Sequence, residues 1–193
     1  MYRILLLVLT ISLLAWGCDS DTKETSEAEA TKAPAASPVS TLNEAGTQKL
    51  MTVITDYYQL KDALVASSAA KADEASNKLI VSADTLKNFL QTDSTNGVTM
   101  MRFLDSVSIG SRNIIAEKDE TTEKKRIHFE TVSNAMFELI RKADLKNAGV
   151  YRQYCPMAFN DKGAYWLSSV TEIKNPYFGK KMLECGEVTD TLK

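Results

Sequence analysis

Histidine is almost absent from this 193-residue chain, cysteine occurs three times, and neither sign of charge prevails, with 23 Lys and Arg against 25 Asp and Glu. Each shortage excludes something. The formal net charge of -2 is too mild to serve as an electrostatic footprint for nucleic acid. No glycine-rich phosphate loop and no clustered carboxylate dyad appears, which removes the reaction classes built on them. Imidazole chemistry would have to rest on one side chain, His128. The apolar run from Ile4 to Leu14 is too short for a permanent membrane span. No internal repeat is evident.

What is present begins with that short run. Arg3, the run, and then Ala15-Trp16-Gly17 immediately before Cys18 have the layout of a cleavable export signal over residues 1–17. The small residue before a cysteine resembles a lipobox, in which the cysteine receives a diacylglyceryl group and becomes the first residue of the mature protein. Ala15 stands where leucine is usual and Trp16 is bulky for its place. Removing Arg3 with the signal moves the formal charge from -2 to -3. Behind Cys18, residues 19–40 are Asp, Glu, Thr, Ser, Ala, Lys and Pro apart from Val39, with almost nothing to bury, so residues 18–40 cannot offset their ordering entropy. They read as a lipidated, disordered tether, holding the domain on the order of 25 Å from the lipid for about 22 coil-like residues. The expected location is therefore the cell envelope: an exported lipoprotein at the periplasmic face or outer membrane.

Residues 41–193 suffice for one core. The box Thr41-x-x-Glu44 predicts a helix start. Behind it Leu50, Val53, Tyr57, Leu60 and Leu64 recur at spacings of three and four, the signature of one buried helix face. A second stripe runs through Ala75, Leu79, Ala83, Leu86 and Leu90, and Asp93 to Gly97 is turn chemistry. A third passes through Met100, Leu104, Val107, Ser111 and Ile114. A fourth passes through Phe129, Val132, Met136, Leu139 and Ala143, with Asn147-Ala148-Gly149 as its stop. Short connections between four amphipathic helices predict an all-α fold, an antiparallel four-helix up-down bundle. The charged run Glu117 to Arg126 is expected to face water, with a docking patch as the alternative.

After Gly149 the texture changes to aromatics, glycine and proline, which predicts an irregular segment packed on the bundle. Val150 to Tyr154 and Ala164 to Ser168 suit a brief β-hairpin around Asn160-Asp161-Lys162-Gly163. Asn175-Pro176-Tyr177-Phe178-Gly179 reads as a tight turn with aromatic anchors. This segment also holds the sulfurs. Cys155-Pro156-Met157 and Met182-Leu183-Glu184-Cys185 each put a thiol within three residues of a thioether, and soft donors of both kinds favour Cu(I) or Ag(I) over harder ions. His128 joins them only if the tail runs back along the bundle from the exit of the fourth helix to its start. The plainer alternatives stay open. Methionines fill core gaps, and in an oxidising compartment Cys155 and Cys185 form a disulfide whose loop of about 30 residues contributes roughly 3.6 kcal/mol in the chain-entropy picture.

Several runs together resemble one family. They are Asp56-Tyr57-Tyr58-Gln59-Leu60-Lys61-Asp62-Ala63-Leu64-Val65, Arg126-Ile127-His128-Phe129 with Ser133, Tyr154-Cys155-Pro156-Met157-Ala158, Trp166-Leu167-Ser168, and Glu172 to Gly179 continuing through Met182 to Cys185-Gly186. The chain is similar over about residues 47 to 189 to a domain of unknown function found in Bacteroidetes lipoproteins and at the C-terminus of CusB-type copper and silver efflux adaptors. The resemblance implies an association with heavy-metal efflux, with Cys155, Met157, Met182 and Cys185, and more weakly His128, as the motif residues. Two departures limit it: Met157 is followed by Ala158-Phe159 where the related short metal-binding motif continues into His-Pro, and the adaptor's own bridging domains are lacking.

The expected function is thus a lipid-anchored envelope protein, not an enzyme, that binds Cu(I) or Ag(I) through those residues. Its expected partners are the membrane through Cys18 and efflux-system or other envelope proteins. The alternative is a disulfide-stapled structural or interaction module. A Cys155 nucleophile with His128 as base would need a third group to orient the imidazole, and the sequence supplies none.

Overall fold

The computed structural model describes residues 36–92, 97–118 and 120–192. Helices α1 (Glu44–Val65), α2 (Ala69–Thr92), α3 (Gly97–Ala116) and α4 (Glu123–Lys142) each pack along the next in sequence. A small antiparallel sheet follows, β1 (Val150–Cys155), β2 (Ala164–Ser168) and β3 (Glu187–Leu192), in the order β2-β1-β3. Every residue of the four apolar stripes is buried, from Leu50 in α1 to Ala143 at the end of α4. Sealing one leucine from water stabilises by roughly 1.5–3 kcal/mol, so these stripes hold the bundle. No described helix is long and apolar enough to cross a membrane. The signal, Cys18 and the tether as far as residue 35 lie outside the described residues, as does the expected turn apart from Gly97, which opens α3.

The helix ends differ in detail from the sequence expectation. The cap of α1 is Asn43, whose side-chain oxygen accepts from the Gly46 amide at 2.9 Å, not Thr41. The Thr41 amide instead donates to the Ala143 carbonyl at the end of α4, and Val39 exchanges two backbone hydrogen bonds with Lys146. The chain therefore enters the domain beside the exit of α4. That helix stops at Lys142, before Asn147: Asp144 takes a left-handed conformation, and the Leu145 amide reaches back to Ile140, the same closure that Ser67 and Ser68 make on α1.

The charged run leading into the first turn of α4 departs furthest from expectation. Lys125 and Arg126 are buried, at 1% and 4% exposure. The Lys125 ammonium donates to Asp73 and to the Ile114 and Glu117 carbonyls, within 2.6–2.7 Å, and so satisfies the otherwise orphaned end of α3. Arg126 donates from Nε to the Pro176 carbonyl (2.8 Å) and from Nη2 to the Leu64 carbonyl (3.0 Å) and Ser67 Oγ (2.9 Å). It ties the end of α1 to the aromatic turn of the tail. Gly179 of that turn has φ +56°, and a Cβ there would meet Ser67 Oγ at 2.6 Å and Arg126 Nη2 at 2.9 Å, which only glycine avoids.

The tail retraces α4. Arg152 of β1 lies with its guanidinium 3.8 Å from the Phe137 ring of α4 and 3.8 Å from the Tyr165 ring of β2. Further along, Lys162 reaches Glu130 and Lys181 reaches Glu123, the first residue of α4. Tyr57 of α1 joins three elements: its hydroxyl shares a hydrogen bond with Ser133 of α4 (2.8 Å) and accepts from the Leu167 amide of β2 (3.0 Å). Burial holds that phenol well above its ordinary range, so it stays protonated. Its ring stacks on Phe129, which meets Tyr177, which in turn meets Trp166 and Phe159. The tail aromatics thus extend the bundle's core over α1 and α4. The hairpin is present and one residue longer than expected; β3, where the sequence predicts irregular chain, pairs with the other edge of β1.

Candidate metal centre

The return of the tail places both cysteines at one spot. Cys155 ends β1 with its side chain fully buried. Cys185 follows the single 3-10 turn Gly179–Lys181 and is half-buried. Their sulfurs are 2.9 Å apart and both thiols are free. A disulfide would need about 2.05 Å, so the two sulfurs touch without being bonded.

Asn175 fixes this approach. Fully buried, it donates from Nδ2 to the Cys185 carbonyl at 2.7 Å and accepts with Oδ1 from the Tyr177 amide at 2.8 Å and the Phe178 amide at 3.3 Å. Its own amide donates to the Leu183 carbonyl (2.8 Å), and the Cys185 amide donates to that of Met182 (3.2 Å). The aromatic turn therefore pins the loop bearing Met182 and Cys185. Hydrogen bonding to Cys155, reinforced by burial and by the neighbouring thiol's charge, pushes the Cys185 thiol up to about 11, against a smaller opposing effect from the Met157 amide. At neutral pH Cys185 is a thiol.

The methionines occupy the open side. Met157, 46% exposed, and half-buried Met182 line one cleft of about 530 Å³ between the start of α4 and the tail. Ile127, Phe159, Tyr177 and Phe178 contribute its apolar wall, and the Glu123–Lys181 ion pair (2.7 Å) stands at its side. Beyond Met157 the chain turns through Phe159, Asn160 and Asp161, all with positive φ, before re-entering the sheet at Ala164.

Of the five expected residues, the two thiols are in contact, and the two methionines line a cleft whose lining includes neither cysteine. His128 is not among the residues lining that cleft. It is half-buried on α4, and Val132, one turn on, packs against Gly110, which puts His128 on the flank of the helix toward α3. Among the described residues the hydrogen-bond neighbour of the Cys155 sulfur is Cys185. Among the described residues no group of three or more His, Cys, Asp and Glu side chains is placed to share an ion. The donor set at the tail is therefore sulfur, which suits Cu(I) or Ag(I) and offers zinc two protein ligands of its usual kind instead of four.

Sequence reasoning missed the supports. Asn175 and Arg126 were visible only as members of motifs, because what each holds is a backbone carbonyl far away in sequence. Gln153, fully buried, likewise donates to the Val170, Thr171 and Glu172 carbonyls and shapes the turn after β2.

Residues 53–148 match the model of a family described as Protein of unknown function (DUF3347). The match spans most of α1 through the end of α4 and stops before β1, so both cysteines and both cleft methionines lie beyond it. No curated protein and no solved structure matches.

Proposed function

We propose that this chain, whose residues 53–148 belong to the DUF3347 family, is a lipid-anchored cell-envelope protein that binds Cu(I) or Ag(I) in connection with heavy-metal efflux or homeostasis. The observation that carries the reading is the contact of the Cys155 and Cys185 sulfurs at 2.9 Å beside a cleft lined by Met157 and Met182. A shared ion with metal–sulfur bonds of about 2.3 Å needs the two sulfurs about 3.8 Å apart in tetrahedral geometry, a separation of under one ångström from their present positions. Membrane attachment rests on Gly17-Cys18 and the tether, and the partners are efflux-system or other envelope proteins. The role is binding, without catalysis.

A second reading has its own support. Cys155 is fully buried and already touches Cys185, so oxidation would close a disulfide with little movement and leave a stapled interaction module. Thiol counting on mature protein purified without oxygen separates the two. The metal reading expects both Cys155 and Cys185 to be alkylated in unfolded apo protein, one equivalent of Cu(I) to protect the half-buried Cys185 in the native state, and a chelator to restore its reactivity. Failure of Cu(I) to protect Cys185 of the reduced protein would leave the disulfide module as the account.

A further inference from the structure

The four sulfurs differ in access, and the difference is ordered. Met157 is 46% exposed and Met182 half-buried, both on the cleft wall; Cys185 is half-buried and Cys155 has no exposed surface. The backbone keeps the pairs close: Met157 is two residues beyond Cys155, and the Cys185 amide donates to the Met182 carbonyl. Met157 is the most exposed of the four and Cys155 the least, so an ion arriving from solvent meets a thioether before the buried thiol. We propose that Met157 and Met182 form an entry station that captures Cu(I) or Ag(I) from its carrier and passes it to Cys155 and Cys185. The proposal rests on the soft-metal reading above and divides its ligands into two successive roles.

The chemistry of the donors fits that order. A thioether is neutral and carries no proton to lose, so it takes the ion without any change of charge on the protein; a thiol binds strongly only as thiolate. In the transfer, the bonds from the ion to the two thioether sulfurs break, bonds to the two cysteine sulfurs form, and the two thiol protons leave to solvent. The ion stays monovalent throughout, so no oxidant or reductant is consumed. The three consecutive left-handed residues Phe159 to Asp161 bend the chain sharply just beyond Met157, and Phe159 walls the same cleft that Met157 lines.

The test follows Cu(I) leaving a chromogenic chelator for the reduced, full mature chain in a stopped-flow instrument. An entry station changes forward and reverse rates alike, so the double variant Met157→Leu, Met182→Leu should take the ion at least about tenfold more slowly while its equilibrium affinity moves by less than about threefold. Leucine preserves the apolar volume, and an unchanged far-UV spectrum and melting temperature confirm the fold. Transfer as fast as wild type would overturn the entry role and leave the metal reading intact. Affinity falling in step with rate would also overturn it, since the thioethers would then be permanent ligands. A wild-type chain that took no ion from the chelator would remove both readings. A second measurement needs no cysteine: in the Cys155→Ser, Cys185→Ser variant, Ag(I) should shift the methyl resonances of Met157 and Met182 and leave those of the fully buried Met100 and Met136 in place. No shift at either cleft methionine would overturn the proposal.

Discussion

Replacing Asn175 by alanine removes the fixing point shared by the aromatic turn and the Cys185 loop. The side chain makes three hydrogen bonds, at 2.7, 2.8 and 3.3 Å, from a fully buried position. Alanine leaves the Cys185 carbonyl and the Tyr177 amide without partners, and each orphaned buried group costs about 1–3 kcal/mol. The longer bond to Phe178 adds less, so the loss should be about 2–5 kcal/mol. Against the roughly 5–15 kcal/mol of a typical domain this is a large fraction, and a 3 kcal/mol loss lowers the melting temperature by about 6–12 °C for a domain near 150 residues. Urea unfolding is the assay. The midpoint should fall with little change in slope, because the same surface is exposed. Lys174→Ala next door is the comparison: its ion pair with Glu172 is exposed, and its loss should cost under about 1 kcal/mol. An Asn175→Ala midpoint as close to wild type as that of Lys174→Ala would refute the reasoning.

Truncating Leu64, Leu86, Leu104 or Leu139, each with no exposed surface, to alanine should cost about 2–5 kcal/mol in the same assay; four melts without loss would contradict the packing. In reduced protein free of metal, alkylation of Cys185 should still be accelerating about tenfold per pH unit between pH 9 and 10, because its thiolate is populated only near pH 11. Levelling near pH 9, as for an ordinary thiol, would show that the contact with Cys155 does not persist in solution. The Cys18→Ala variant should lose incorporation of a fatty-acid label and leave the membrane fraction, whereas equal labelling of variant and wild type would remove the lipid anchor.

The bundle was legible because its signal is periodic: Leu50, Val53, Tyr57, Leu60 and Leu64 fall on one face by spacing alone, and all are buried. The hairpin was legible for a similar reason, with Asn160 to Gly163 marking its turn between two apolar segments. Strand β3 escaped notice because Glu187 to Leu192 is almost wholly exposed, and a strand that buries nothing leaves no pattern. Lys125 and Arg126 misled for the opposite reason: a charged run looks solvated, and only the fold reveals that two of its members end on buried carbonyls of α1, α3 and the tail. The sulfurs stood out as motifs, yet spacing could not tell that the thiols would touch and the thioethers would line a separate cleft. The turn of Asn175, ten residues before Cys185, fixes the loop that carries Met182 and Cys185, and that closure exists only in three dimensions.

Competition for Cu(I) between the reduced mature protein and a chromogenic chelator of known affinity tests the central claim most directly. Wild type should withdraw one equivalent, excess Zn(II) should not displace it, and the Cys155→Ser, Cys185→Ser variant should compete far less well. Equal competition by wild type and the double cysteine variant would contradict the account.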